Sequence, residues 1–143
     1  MIARNRKARH DYFILDSWEA GLVLTGTEVK SLREGKASLG DAYAVLNGTE
    51  LFLINMHISP YEKGNIHNHE PTRTRKLLLH RKEIRRLIGA VEQQGLTLVP
   101  LELYFRKGCA KVLIAMARGK KQHDKRETAR RRDAEREMAR RVR

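Results

Sequence analysis

Apolar positions near the start of the chain fall into two short runs, residues 11–15 and 20–25, separated by Asp16, Ser17, Trp18 and Glu19. That spacing predicts two strands joined by a tight turn. Thr25 and Glu28 stand at the offset of a helix-capping pair, Val29 and Leu32 share one helical face, and Gly35 is placed to end the turn, so a short helix over about residues 27–34 follows. Residues 42–46 and 51–56 are apolar runs flanking Asn47 and Gly48, a pair that tolerates the positive φ of a hairpin turn. Residues 57–76 lose periodicity, carry three histidines and two prolines, and close on the basic run Arg73, Thr74, Arg75 and Lys76. They read as an exposed loop. Between 80 and 94, Ile84, Leu87, Ile88 and Val91 recur at helical spacing while Arg81, Lys82, Arg85 and Arg86 take the other side, and Gly95 stops the pattern. A last hairpin is expected from residues 96–106 and 109–117 around Lys107 and Gly108.

About six short strands, with helices inserted rather than alternating, favour a mainly β fold: a closed antiparallel barrel of the oligonucleotide-binding (OB) type with two to three flanking helices. The periodicity by itself leaves a small sandwich open.

Charge narrows the partner. The 143 residues include 30 Lys and Arg against 17 Asp and Glu, a formal net charge of +13. Such self-repulsion favours a polyanionic partner. No apolar run is long enough to span a bilayer, and the tail offers only Met138 and Val142 as bulky anchors, so a membrane is not expected. One cysteine, Cys109, excludes an internal disulfide and a thiolate zinc site, and a cytoplasmic protein fits that count. His10, His57, His67, His69 and His80 could in principle serve a ribonuclease, but their spacing forms no recognised acid–base constellation. His67 and His69 lack a convincing third metal ligand. Neither an enzyme nor a cofactor is expected.

The composition changes at Arg118. From there to Arg143 twelve bases meet five acids, with too little apolar surface to offset ordering. Two domains are therefore drawn, a folded unit over residues 1–118 and a basic tail over 119–143. Within the tail, helix formers dominate and no Gly or Pro follows Gly119. Attractive pairs such as Glu127 with Arg131 are opposed by repulsive ones such as Arg132 with Arg136, each worth about 0.2–0.5 kcal/mol. The expected tail is coil when free and helical against RNA.

Several stretches then carry a family resemblance. They are the run from Asn5 to Tyr12; Glu19, Ala20 and Gly21; Gly26 to Lys36; Pro71 to Leu79; and Gly119 to Arg126. Together they resemble the small protein B family, tmRNA-binding proteins of bacterial trans-translation. The resemblance implies an OB-type barrel and a non-enzymatic protein, expected to be monomeric. Such a protein binds the tRNA-like domain of tmRNA, helps deliver it with elongation factor Tu to stalled ribosomes, and lays its tail in the empty messenger channel and decoding centre. It implies tmRNA contacts at Asn5, His10, Glu19, Lys30 and Arg33, with residues 77–79 near the same face although these also read as core strand. In the tail it implies ribosomal RNA contacts at Lys120, Lys121, Lys125 and Arg126, and stacking by His123. Glu19 cannot attract phosphate, so its expected part is to orient a base such as Arg33 or to accept from a ribose hydroxyl.

Overall fold

A computed structural model describes residues 1–63 and 68–120. In chain order the elements are β1 (Ala3–Arg4), α1 (Arg6–Asp11), β2 (Tyr12–Leu22), α2 (Gly26–Arg33), β3 (Ala37–Ser38), β4 (Tyr43–Asn47) and β5 (Glu50–Ile54). These are followed by β6 (His57–Ile58), β7 (Arg75–Leu78), α3 (Arg81–Gln94), β8 (Thr97–Arg106) and β9 (Cys109–Gly119). All pairings are antiparallel. The large sheet runs β1-β8-β4-β5-β7-β2-β9, and β9 pairs again with β8, so six strands follow one another in a ring. β3 and β6 form a separate two-stranded sheet.

Two expected hairpins form where their turn residues allow. Gly48 takes φ 65° between β4 and β5, and Lys107 and Gly108 take 52° and 77° between β8 and β9. The latter is the doubly left-handed turn whose twist matches antiparallel strands. The helix expected over 80–94 is α3, closed by Gly95 in the left-handed conformation. Its Leu87 is buried in the main core.

The first expected hairpin does not form. Asp16 to Glu19 are not a turn; they lie inside the single eleven-residue strand β2, whose pairing with β9 continues on both sides of a bulge at Leu15. The bulge has a packing reason. Tyr12 and Ile14 join a smaller cluster with Ala8, Val99, Leu101, Ala115 and Ala117, whereas Trp18, Ala20 and Leu22 join the main core. All five β2 residues have the same parity, so without the extra residue they would share one face. β8 makes the same switch between Pro100 and Glu102, and the bulge accommodates a proline that has no N–H to pair. Two strands thus feed two clusters, and α1 covers the second with Ala8.

The exposed loop expected over 57–76 is also corrected. His57–Ile58 pairs with Ala37–Ser38, Arg75 opens β7, and Ile58, His69 and Arg75 are buried. β9 reaches Gly119, and the Lys120 N–H donates to the Asp11 carbonyl at 2.8 Å, so the folded unit extends past the boundary drawn at 118. The rest of the tail lies outside the described residues.

Candidate nucleic-acid interface

α2 is anchored through its carboxylate rather than through apolar residues alone. Glu28, Ser31 and Leu32 face inward, and the Glu28 carboxylate is fully buried. One oxygen accepts from the Thr25 N–H at 2.9 Å and from Arg73 Nη2 at 2.6 Å; the other accepts from Arg75 Nε. The expected capping pair forms, the Glu28 carboxylate taking the Thr25 N–H while the Thr25 side chain meets the Glu28 N–H. Arg75 is itself fully buried and donates further to the carbonyls of Met56 (2.5 Å) and Pro71 (3.1 Å). Burial pushes the Glu28 carboxyl up, but Arg73, the Thr25 N–H and Arg75 outweigh it and leave the group below its ordinary range. Burial pulls the Arg75 guanidinium down, against the attraction of Glu28. His69 closes the same region: its Nε2 meets the Ile58 carbonyl at 2.8 Å, so that nitrogen donates and Nδ1 accepts from the Thr27 hydroxyl at 2.9 Å. A histidine so occupied is not a free metal ligand, and no metal-type cluster occurs among the described residues.

This anchoring leaves Lys30 and Arg33 exposed on α2, in its last turn, where the helix dipole favours cations. The Lys30 ammonium lies 5.5 Å from the centre of the Tyr61 ring. Both are exposed cations on one helix.

Asn5 is placed differently. It is 3% exposed, and its amide is used within the chain: Nδ2 donates to the Leu39 and Pro100 carbonyls at 3.1 and 2.9 Å, and Oδ1 accepts from the Ala8 N–H. A side chain so occupied caps α1 and ties it to the β8 bulge. The expected tmRNA contact of Asn5 does not fit that position. His10 is partly exposed beside Asp11, its Nδ1 3.0 Å from the carboxylate.

Glu19 does not orient Arg33. Its Oε2 accepts from Tyr104 Oη at 2.5 Å and from Arg106 Nη1 at 3.1 Å. The Tyr104 hydrogen bond, with Arg106 and Lys111, holds the Glu19 carboxyl below its ordinary range despite partial burial. In return, burial and the neighbouring carboxylate push the Tyr104 phenol up to about 12. His10, in the last turn of α1 just ahead of β2, and Glu19, near the far end of β2, are roughly 20 Å apart at the rise of an extended strand. The expected contact residues are therefore not one cluster. His10 sits where β9 ends, beside Phe13, whose ring centre is 5.4 Å from the Arg118 guanidinium and 5.1 Å from the Lys120 ammonium. Glu19 sits with Gly21, Leu78 and Lys111. An adjoining cleft links the last three to Val29 of α2, one helical turn before Arg33.

Leu77 is core strand, Leu78 is 52% exposed and Leu79 is half-buried. Of the expected tail contacts only Lys120 is described; Lys121, His123, Lys125 and Arg126 lie outside the described residues. Sequence reading missed Tyr104, Arg106 and Lys111. The signal available was an acid on a strongly basic surface, which requires donors around it.

The family model described as SmpB protein matches residues 2–143. The chain belongs to the SmpB family. Its similarity to curated relatives covers nearly all of both chains. An SsrA-binding protein of Geobacillus sp. (strain WCH70) is 59% identical over 98% of this chain and 90% of its own length. Those of Enterococcus faecalis and Desulforudis audaxviator are also 59% identical, over 98% and 99% of this chain and 91% and 93% of their own. A solved structure described as "tmRNA-SmpB: a journey to the center of the bacterial ribosome" is 55% identical, with a TM-score of 0.70 over 90% of this chain and 94% of the other. Among the described residues no helix is long and apolar enough to cross a membrane.

Proposed function

We propose that this SmpB-family chain binds the tRNA-like domain of tmRNA and carries it to stalled ribosomes for trans-translation, acting as an RNA-binding protein without catalysis. The observation that carries the reading is near-full-length similarity to SsrA-binding proteins, joined to 55% identity with a protein solved as tmRNA-SmpB. The fold adds a physical rationale: buried Glu28 and Arg75, with the half-buried Arg73, fix α2, so Lys30 and Arg33 are presented from a rigid support. His10 and Glu19 add contacts at the two ends of β2, and Asn5 acts by holding α1. The six-strand ring is read as an OB-type barrel. Elongation factor Tu would take part in delivery, the chain acting as a cytoplasmic monomer. The tail, with Lys121, His123, Lys125 and Arg126, would order as helix on ribosomal RNA in the empty messenger channel.

Filter binding of tmRNA and tRNA across a salt series tests this. The expected result is tighter binding of tmRNA at every salt concentration, and a loss of about 1–3 kcal/mol for Arg33→Ala. Equal affinity for the two RNAs would overturn the reading.

A further inference from the structure

Phe13 is an aromatic side chain with no core to fill. Its strand neighbours Tyr12 and Ile14 point into the second cluster with Ala8 and Ala117. Phe13, on the other face of β2, joins neither cluster among the described residues, yet it is half-buried. The register of the sheet supplies its partners. Phe13 pairs with Arg118 on β9, and Tyr12 pairs with Gly119. Side chains two apart on a strand share a face, so Arg118 stands directly opposite the ring and Lys120 on the diagonal beyond it. One ring thereby meets two cations, the guanidinium 5.4 Å and the ammonium 5.1 Å from its centre.

The backbone at this point is held as well. The Lys120 N–H donates to the Asp11 carbonyl at 2.8 Å, satisfying an acceptor at the end of α1. Gly119 is not in the left-handed region, and β9 runs through it to Lys120. Two cations and one amide are therefore fixed on α1 and β2 where the basic segment begins. Phosphate contacts alone do not call for such fixing, because a cation attracts phosphate from any orientation. What the ring adds is a direction. A chain that leaves from a fixed root samples fewer positions, and loses less freedom when a partner orders it.

We infer that Phe13 is a positioning residue, which sets the direction in which residues 121–143 leave the folded unit by holding Arg118 and Lys120 against the β2–β9 pair. The ring itself touches no RNA. It keeps the root of the tail in a fixed relation to the surface that carries Lys30 and Arg33. This rests on the reading of the chain as a ribosome-rescue protein whose tail meets ribosomal RNA.

Full-length Phe13→Leu and Phe13→Tyr test it, with Phe13→Val as the second ring-free variant should Phe13→Leu not fold. Leucine keeps apolar bulk but offers the cations no π face, whereas tyrosine keeps the ring. The readouts are tmRNA affinity by filter binding, hydrogen exchange of the Lys120 amide, and tagging of stalled chains in a translation assay. In Phe13→Leu, Lys120 exchange should rise and tagging should fall, each about fivefold or more, the scale of losing two ring contacts, while affinity stays within about twofold of wild type. Phe13→Tyr should match the wild type in all three. Unchanged tagging in a folded ring-free variant would overturn the inference. So would a fall in tagging with unaltered Lys120 exchange, which means that the ring itself meets RNA, or an equal fall in Phe13→Tyr. Loss of tmRNA affinity in step with tagging would place Phe13 on the tmRNA surface and overturn it too. Failure of the rescue reading looks different: the wild type itself would bind tmRNA no better than tRNA and support no tagging.

Discussion

Arg75 shows how one side chain can hold a helix, a strand and a loop at once. It connects Glu28 of α2 to the carbonyls of Met56 and Pro71 from the first position of β7. Arg75→Met would leave the Glu28 carboxylate buried with Arg73 as its remaining charged partner, and should cost about 3–5 kcal/mol in urea unfolding. The pair also sets an acid limit. Glu28 is depressed in the folded state, so its contribution is fully present above the ordinary glutamate value of 4.5 and is lost as pH falls through the lower folded value. The urea midpoint should therefore fall steeply below about pH 4.5, and Glu28→Gln should lack that component of the fall. The Thr25–Glu28 half of this network was legible as a capping signal. The Arg75 half was not, because a run of bases reads as solvated. Only the β7 alternation, with Arg75 and Leu77 inward and Lys76 and Leu78 outward, selects the buried member.

At the level of elements, legibility followed locality. α3, the β4–β5 hairpin and the β8–β9 hairpin each carry their own periodicity and stop signals, and each formed within a few residues of expectation. β2 did not, since its polar interior residues are explained only by a partner strand nearly a hundred residues away and by a bulge that changes which cluster it feeds. β1, β3 and β6 are two residues each and have no signature apart from their partners. The long pairing of β2 with β9 predicts where the chain can be cut. A chain ending at Lys120 should keep the full-length unfolding midpoint. One ending at Met116 removes Ala117 from the second cluster and the partners of Tyr12, Phe13 and Ile14, and should lose about 2 kcal/mol or more. Thermal and urea unfolding of the two truncations check this.

For the molecule as a whole, charge indicated a polyanion but could not say how many surfaces meet it. The fold separates Lys30, Arg33 and the Glu19 cleft from the end of β9, where Arg118 and Lys120 flank Phe13. Removing residues 121–143 should leave tmRNA affinity and its salt dependence largely unchanged while abolishing tagging of stalled chains, as read by filter binding and a translation assay. Equal loss of both would show that the two surfaces are not independent. The ring of strands has one more consequence. Each of its six strands has a neighbour on both sides, and where β2 turns from β7 its Asp16 and Trp18 meet Arg86 of α3. Beyond Gly21 and Leu22, where β2 has no strand on its β7 side, α3 lies against it through Arg86 and limits the edge open to a foreign strand. Resistance to β-aggregation is built into the topology, and should persist at salt concentrations that screen the repulsion between copies.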